Sequence, residues 1–305
     1  QLKGDIKITG NPTTPDIEGE LNFVEASFTP SMANSEFTLK DETITFDNSQ
    51  ILISDFEITD KQNNSAKLDG KILSEGFQTF KLDLGLSAAN FQILNSTEKD
   101  NELFYGIVKV TTKAKISGTL TQPVVDMNIN LSDDSNFTFV VPQSEKGVLD
   151  QKGIVTWVDR DAKNDPFLPS IKPQDTIKST FKGIDISANI ELKGKETFNI
   201  IIDPVTGDKL SVKGNSTLTF DHDPTGDMVL TGRYEISEGT YDFTFYKIIK
   251  RKFSIEKGST ILWSGEPIDA ILDIRAIYEV EASPIELIAN QSVDDEELNR
   301  YKQRL

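Results

Sequence analysis

The sequence predicts an all-β protein: one elongated, curled sheet with antiparallel or mixed pairing, a groove-like solenoid whose concave face is apolar. Three observations support this fold class. Apolar residues recur at every second position in run after run, turn residues interrupt the runs about every 8 to 12 residues, and helical periodicity is nearly absent. A short helix is expected only at the C-terminus.

Alternating runs follow one another along most of the chain. In order they cover residues 6–8, 17–23, 44–46, 51–53, 56–58, 80–86, 108–120, 125–131, 137–141, 184–192, 198–202, 253–255, 261–263 and 270–276. With the weaker runs between them they predict roughly 20 strands. Stacked in one ladder at about 4.8 Å each, such strands would extend on the order of 100 Å.

Turn chemistry and capping signals divide the chain. Residues 203–208 and 223–227 place proline early and glycine late, as tight connections between antiparallel strands prefer. Ser292 can cap a final helix that starts acidic and ends basic. The predicted organisation is β-groove repeats over 1–158, a loop or excursion over 159–176 with three prolines, further β-groove repeats over 177–291, and a helical tail over 292–305.

A larger repeat supports an elongated sheet over two compact domains. TGNPTTPDIEGELNFVEASF near the start and FDHDPTGDMVLTGRYEISEGTYDF near the end share a proline turn, a glycine and an apolar alternation that ends in an aromatic residue. SGTLTQPVVDMNINLSDDSNFTF is a fainter middle copy. Such self-similarity is typical of repeat architectures, in which each unit packs on its neighbours.

Composition excludes several classes of function. A formal net charge of −17 is repelled by phosphate backbones and by anionic lipid headgroups, so nucleic acid is not expected as a ligand. The chain has no cysteine, which excludes disulfides, iron–sulfur clusters and thiolate zinc sites. No apolar run is long enough to span a bilayer. The chain opens within an alternating pattern, which indicates a piece of a longer protein.

The apolar face of the predicted sheet is the candidate functional surface. In an ordinary β-sandwich a second sheet would cover it and the interior would be dry. A long sheet curled lengthwise would instead leave an apolar trough able to hold acyl chains. The predicted lining residues are Leu21, Phe23, Phe80, Leu82, Leu84, Leu86, Val108, Val110, Ile116, Met127, Ile129, Phe137, Phe139, Ile186, Ile190, Ile200, Leu230, Tyr234, Phe243, Phe253, Ile255, Ile261, Trp263, Leu272 and Ile274.

Other candidate sites are weaker. His222 is the single histidine, and its place between two aspartates in a turn indicates a solvated loop. Asp221, Asp223 and Asp227 loosely resemble a calcium loop without its glycine and glutamate positions, so an acidic surface turn is favoured. One basic cluster is either a charged guard on a strand edge or a contact for lipid headgroups or a partner. It consists of Lys247, Lys250, Arg251 and Lys252.

The final third of the sequence resembles the C-terminal domain of the translocation and assembly module family TamB, a branch of the AsmA-like bridge proteins of diderm bacteria. The resemblance is carried by Gly232-Arg233-Tyr234, Gly239 with Tyr241 and Phe243, Phe253-Ser254-Ile255, Gly258-Ser259 with Trp263, Gly265-Glu266-Pro267, and Asp273-Ile274 with Ala276 and Tyr278. The preceding 230 residues resemble the same family's repeats only through strand periodicity and turn layout.

The resemblance implies a β-groove ("β-taco") protein of the periplasm. It would be anchored in the inner membrane by an N-terminal helix outside this sequence and would reach an outer-membrane barrel assembly protein. The expected ligand is phospholipid and the expected role is inter-membrane lipid transport and outer-membrane biogenesis, with no enzyme activity, metal or cofactor. An arginine at Leu84 is expected to block lipid passage while leaving the fold largely intact.

Two other functions remain open on the sequence alone. A structural or adhesive β-solenoid would have a closed, filled core. A carbohydrate-active enzyme on such a scaffold would have an aromatic-lined cleft with facing carboxylates, although no pair of acidic residues is singled out by the sequence.

Overall fold

A computed structural model describes residues 1–11, 14–31, 33–75, 78–142, 183–245 and 249–280. The predicted loop at 159–176 and the predicted helical tail at 292–305 lie outside these residues. Within them the regular structure is entirely β, and seventeen strands form one curled, mixed sheet, as predicted. The strands are β1 (Leu2–Asn11), β2 (Thr14–Phe28), β3 (Phe37–Asp47), β4 (Gln50–Asp60), β5 (Ser65–Glu75), β6 (Thr79–Ser96), β7 (Phe104–Thr119), β8 (Gln122–Leu131), β9 (Asn136–Val140), β10 (Asp185–Lys193), β11 (Thr197–Asp203), β12 (Asp208–His222), β13 (Met228–Phe245), β14 (Ile249–Ile255), β15 (Thr260–Gly265), β16 (Ala270–Asp273) and β17 (Ala276–Ile277).

The first half of the sheet is a meander. Each strand from β1 to β8 pairs antiparallel with the next. Strand β9 continues in line with β8 and pairs with the remaining length of β7. Short connections between these strands match the turn signals in the sequence, which is why the alternation predicts this half well.

The second half joins the first through parallel pairing. Strand β10 runs parallel to β8, and β11 runs parallel to β9. Strand β12 then pairs antiparallel with both β10 and β11 along its length, and β13 pairs antiparallel with β12. At the far end β14 and β15 lie in tandem along β13, followed by β17 and β16. The pairing is therefore mixed.

The ladder is shorter than the strand count suggests. Nine of the seventeen strands occupy a row of their own, and the other eight share four rows in tandem pairs, which gives thirteen rows among the described residues. At about 4.8 Å per row these thirteen rows extend roughly 60 Å, which is less than the length on the order of 100 Å expected for about 20 strands that each occupy a row. Tandem half-strands look like two full strands in a sequence but add only one row.

A line of interruptions crosses the sheet from β6 to the last row, and we call it the crease. It comprises bulges at 89–93 on β6 and at Ser237 on β13, and the breaks at 132–135, 194–196, 256–259 and 274–275. Offset bulges at Asp41 and Asp55 interrupt β3 and β4, and both residues have a positive φ. Bulges bend a strand and increase its twist. The aligned crease gives a physical reason for the lengthwise curl.

The two predicted proline–glycine turns are present. In the first, the Asp203 carboxylate accepts a hydrogen bond from the Val205 N–H at 2.8 Å, and Gly207 has a φ of 82°. In the second, one carboxylate oxygen of Asp223 accepts hydrogen bonds from the N–H groups of Thr225, Gly226 and Asp227. Both aspartates therefore act as turn-forming residues.

Candidate functional site: an apolar trough

The strand register places 24 of the 25 predicted lining residues on one face of the sheet, and Ile274, just past β16, packs against the buried cluster on that face. Leu21 lies opposite Ile44, Leu84 opposite Ile116, and Ile190 opposite Leu218, and directly paired residues point to the same side. The same register continues through Tyr234 and Ile261 to Leu272. This concave apolar face is the trough. Whether these side chains contact lipid stays a prediction.

Most of the trough is only half-buried. Of the 25 residues, seven are buried, seventeen are half-buried and one, Leu272, is 55% exposed. Among the described residues every strand belongs to the one sheet, so no second sheet lies over this face. The side chains are covered mainly by their neighbours along and across the strands.

The buried residues form four separate clusters along the ladder. The largest is centred on Ile236 and Ile261, both fully buried, and includes Trp263 at 7% exposure. Two clusters lie in the meander around Phe37 and Leu39, and the fourth contains Val110. Compact domains usually have one contiguous core. Separate clusters fit a long surface that is packed locally.

Aromatic rings connect the rows in the middle of the trough. The ring of Phe104 lies 6.4 Å from that of Phe137, which stacks on Phe198 at 5.7 Å, and Phe198 is 6.4 Å from Tyr234. Tyr234 is 2% exposed, and this burial, together with the charge of Glu196, raises the pKa of its hydroxyl. It is therefore neutral at physiological pH and part of the apolar lining.

Polar side chains hold the crease by bonding unpaired backbone groups. The Glu196 carboxylate is 3% exposed and accepts hydrogen bonds from the N–H groups of Lys193, Gly194 and Lys195 at 2.9 to 3.2 Å. Across the row, the Lys109 N–H donates to the Ser135 hydroxyl at 3.1 Å. Backbone groups left unpaired by a break are costly unless such partners are supplied.

The trough opens at its C-terminal end. Leu272 lies opposite Ile261 on the trough face, and its neighbour Ile271 lies opposite Leu262 on the outer face at 62% exposure. Tyr278 is 41% exposed, with its ring 5.4 Å from that of Phe253. We call the exposed Leu272 and Tyr278, together with the half-buried ring of Phe253, the mouth of the trough.

His222 is not in a solvated loop. It is the last residue of β12, 3% exposed, and its Nδ1 lies 3.0 Å from the carbonyl oxygen of Ile184. Its position is in step with Leu218 on the trough face, and Ile186 lies opposite it. The sequence suggested solvent because His222 stands between two aspartates, but strand alternation turns Asp221 to the other side and Asp223 begins the following turn.

The described residues contain no group of three or more acidic or histidine side chains that could hold a metal ion. Hydrogen bonds from the Thr225 side chain and from the turn's N–H groups hold the pKa of Asp223 below its usual value, against the effect of desolvation. Of the basic cluster, Lys250, Arg251 and Lys252 are exposed on β14, and Lys247 lies outside the described residues.

Strict alternation in the sequence does not predict several residues that line the trough. Phe37, Leu39, Phe91 and Leu94 are buried on the trough side but flank bulges. A bulge shifts the alternation by one residue, so strict period-2 counting loses them. Asn90, with a φ of 52°, was the available signal, because asparagine tolerates the left-handed region that such bulges use.

Comparison with known families identifies the chain. A model of the TamB C-terminal domain matches residues 54–302. The chain belongs to the TamB family. This membership supports a role in the translocation and assembly module and indicates a periplasmic, envelope-associated protein of a family that partners with outer-membrane proteins and is not a known enzyme family. Comparisons with curated proteins and with solved structures found no match.

The TamB match extends well into the meander, beyond the final third that carries the sequence resemblance. In the part of the chain that the structure describes, no helix has the length and apolar character needed to cross a bilayer.

One motif glycine has a direct structural reason. Gly232 lies opposite Trp263 on the trough face with a φ of 132°, and a Cβ there would meet the Thr217 carbonyl oxygen at 2.6 Å. Only glycine adopts this backbone without strain. A Cβ at this position would also come within 2.9 Å of the Leu218 side chain, so there is no space for a larger residue.

Proposed function

We propose that this chain is a segment of a periplasm-spanning bridge that shields phospholipid acyl chains on its trough, for transport between the two membranes in outer-membrane biogenesis. In this role it acts passively, without catalytic residues. It would be held in the inner membrane by a part of the protein outside this sequence and would meet an outer-membrane barrel assembly protein. Family membership supports the setting, and the trough supports the ligand.

The single observation that carries the proposal is the half-buried apolar lining. A filled core would bury these side chains, whereas seventeen of the 25 remain partly accessible. Each methylene group of an acyl chain removed from water contributes about 0.8 kcal/mol. An apolar surface spread over thirteen rows distributes that gain without one deep site, so a lipid could move along it.

The cluster around Phe37 and Phe91 is the one place on the trough face where contacts among the described residues support a locally closed core. The rings of Phe37 on β3 and Phe91 on β6 stack at 5.2 Å, above the small side chains of Ala66 and Ala88. Here side chains from strands three rows apart fill the concave face themselves. A structural or adhesive solenoid with a closed core would need such contacts along the whole ladder.

Trp263 offers a local test of occupancy. It lies on the trough face beside the mouth, and the second tryptophan, Trp157, can be replaced by phenylalanine. Purified Trp157→Phe protein is mixed with vesicles of phosphatidylcholine carrying bromine on its acyl chains, which quenches indole fluorescence at short range. We expect quenching that unlabelled vesicles do not cause.

Leu272 and Ile271 supply a matched pair of variants. Both are exposed on β16, but only Leu272 is on the trough face. We expect Leu272→Glu to weaken quenching about ten-fold, because contact with about two methylene groups is lost, whereas Ile271→Glu leaves it unchanged. If the parent protein shows no quenching, or both variants behave alike, the lipid-shielding proposal fails.

A further inference from the structure

We propose that the mouth of the trough contains a site for the anionic headgroup of a phospholipid, formed by Arg251. This inference rests on the proposed function and adds to it a position and a headgroup class. Strand alternation places Arg251 on the trough face, although a charge that only prevents strand-edge pairing does not need to lie there.

Arg251 lies on the trough face, in contrast to its two basic neighbours. On β14 it is two residues from Phe253, which lies opposite Tyr241, and Arg251 itself lies opposite Phe243. Lys250 and Lys252 therefore point to the outer face. A charge that only prevents edge pairing could lie on either face of the strand. A guanidinium on the trough face can contact a ligand that enters the trough.

The arginine is held by an aromatic ring and has no acidic partner among the described residues. Its guanidinium carbon lies 5.5 Å from the centre of the Tyr278 ring, and the ring of Tyr278 packs on that of Phe253. The described ion pairs involve Lys109, Lys195, Lys213 and Arg275, and none involves Arg251. Its charge is available to a ligand.

Charge complementarity favours an anionic lipid as the occupant. The chain carries a net charge of −17, so an anion is repelled from most of its surface. Three consecutive basic residues make the mouth a local exception, and arginine binds phosphate oxygens in a forked geometry. A phospholipid with its acyl chains on Phe253 would bring its headgroup within reach of Arg251, which lies two residues away on the same face.

The test uses the Trp263 quenching assay with two brominated lipids. All vesicles contain phosphatidylglycerol and phosphatidylcholine in equal amounts, so that their surface charge is the same, and only one of the two lipids carries bromine on its acyl chains. We expect about five-fold stronger quenching by phosphatidylglycerol, in the range of one partly exposed charged pair. Arg251→Gln should abolish this preference and retain quenching by phosphatidylcholine, whereas Arg251→Lys should keep part of it.

Lys7→Gln is the matched control, because it removes the same charge from an exposed position on β1 at the opposite end of the ladder. It should leave the preference intact. Equal quenching by both lipids in the parent protein, or an Arg251→Gln variant that retains the preference, overturns the headgroup site while the trough proposal stands. If neither lipid quenches, the proposed function itself fails.

Inorganic phosphate distinguishes a lipid headgroup from a free anion. Millimolar phosphate, compared with chloride at equal ionic strength, should leave the preference for phosphatidylglycerol unchanged, since the acyl chains supply most of the binding energy. If phosphate removes the preference, Arg251 binds the free ion and the assignment to a lipid headgroup is overturned.

Discussion

Replacing Glu196 by glutamine tests whether side-chain capping holds the crease. The Glu196 carboxylate closes the break between β10 and β11 by accepting hydrogen bonds from three successive backbone N–H groups. Glutamine has nearly the same shape but only one acceptor oxygen, and its amide would point N–H groups toward the Lys193 N–H. The substitution therefore removes the charge and one acceptor without creating a cavity.

The expected loss follows from these contacts. A hydrogen bond to a charged group contributes about 1.5 to 3 kcal/mol, against about 1 kcal/mol for a neutral one. One glutamine oxygen can still accept the bonds now made by Oε2, each in its weaker neutral form. We expect the free energy of unfolding to fall by about 2 to 4 kcal/mol.

Urea unfolding followed by far-UV circular dichroism measures this difference, with amide hydrogen exchange at residues 193–195 as the local readout. Glu191→Gln is the control, because Glu191 is exposed on β10, just before the break, and should change stability by less than about 0.5 kcal/mol. Equal stability of the two variants, with unchanged exchange at the break, would refute the idea that this carboxylate holds the crease.

Three further substitutions test the meander, the trough and the motif. Desolvation opposes ionisation of Asp60, but hydrogen bonds from Asn64, Gln92 and Gln62 hold its pKa below the usual 3.8. The stabilisation from the ionised Asp60 carboxylate is therefore complete above pH 3.8, and it is lost as the pH falls through the lower pKa of Asp60 in the folded state. Asp60→Asn should lose about 2 kcal/mol at pH 7 in urea unfolding, and the difference from the parent should shrink below pH 3.8; a pH-independent difference would contradict this. Leu84→Arg should lower stability by about 3 kcal/mol or more, whereas Leu272→Arg is tolerated, because Leu84 is 8% exposed and Leu272 is 55% exposed; equal melting temperatures would contradict it. Gly232→Val should cost about 2 to 3 kcal/mol, and Gly265→Ala, with open space around its Cβ, should cost much less; similar losses would show that backbone strain is not the reason.

The burial of Leu84 changes one expectation from the sequence. An arginine there was expected to leave the fold largely intact, on the idea that a charge in the trough could reach water. Leu84 instead packs in a buried cluster with Leu39, Ile53 and Phe56. Alternation predicts which face a residue occupies, but its depth depends on how the bulges bring neighbouring rows together.

Face assignment was predictable because a strand has a strict period of two. From Phe80 to Leu86 the apolar positions alternate without a break, and the structure keeps them on one side. The same rule fails where β6 meets β7, because the register shifts between Ala88 and Phe91. No residue pattern announces that shift except Asn90, which suits a left-handed backbone.

Row sharing was not predictable from local patterns. Strands β8 and β9 are separated by a few residues that read as an ordinary turn, yet β9 continues in line along β7 and does not fold back. The choice depends on pairing with β7 and β11, which are distant in sequence. Long-range pairing of this kind set the number of rows and hence the length of the trough.

The half-buried lining also has a consequence for stability. Apolar side chains that remain partly in water contribute less to folding than buried ones, so the trough leaves stabilisation unrealised in the lipid-free protein. A ligand that binds only the folded state raises its stability by RT ln(1 + [L]/Kd). If acyl chains occupy the trough, phosphatidylcholine should therefore raise the urea midpoint of the parent protein, and raise it less for Leu272→Glu than for Ile271→Glu. Because this linkage requires binding to the folded state, equal shifts for the two variants would mean that the quenching lipid lies outside the trough, and an unchanged midpoint would mean that the lipid has no preference for the folded state.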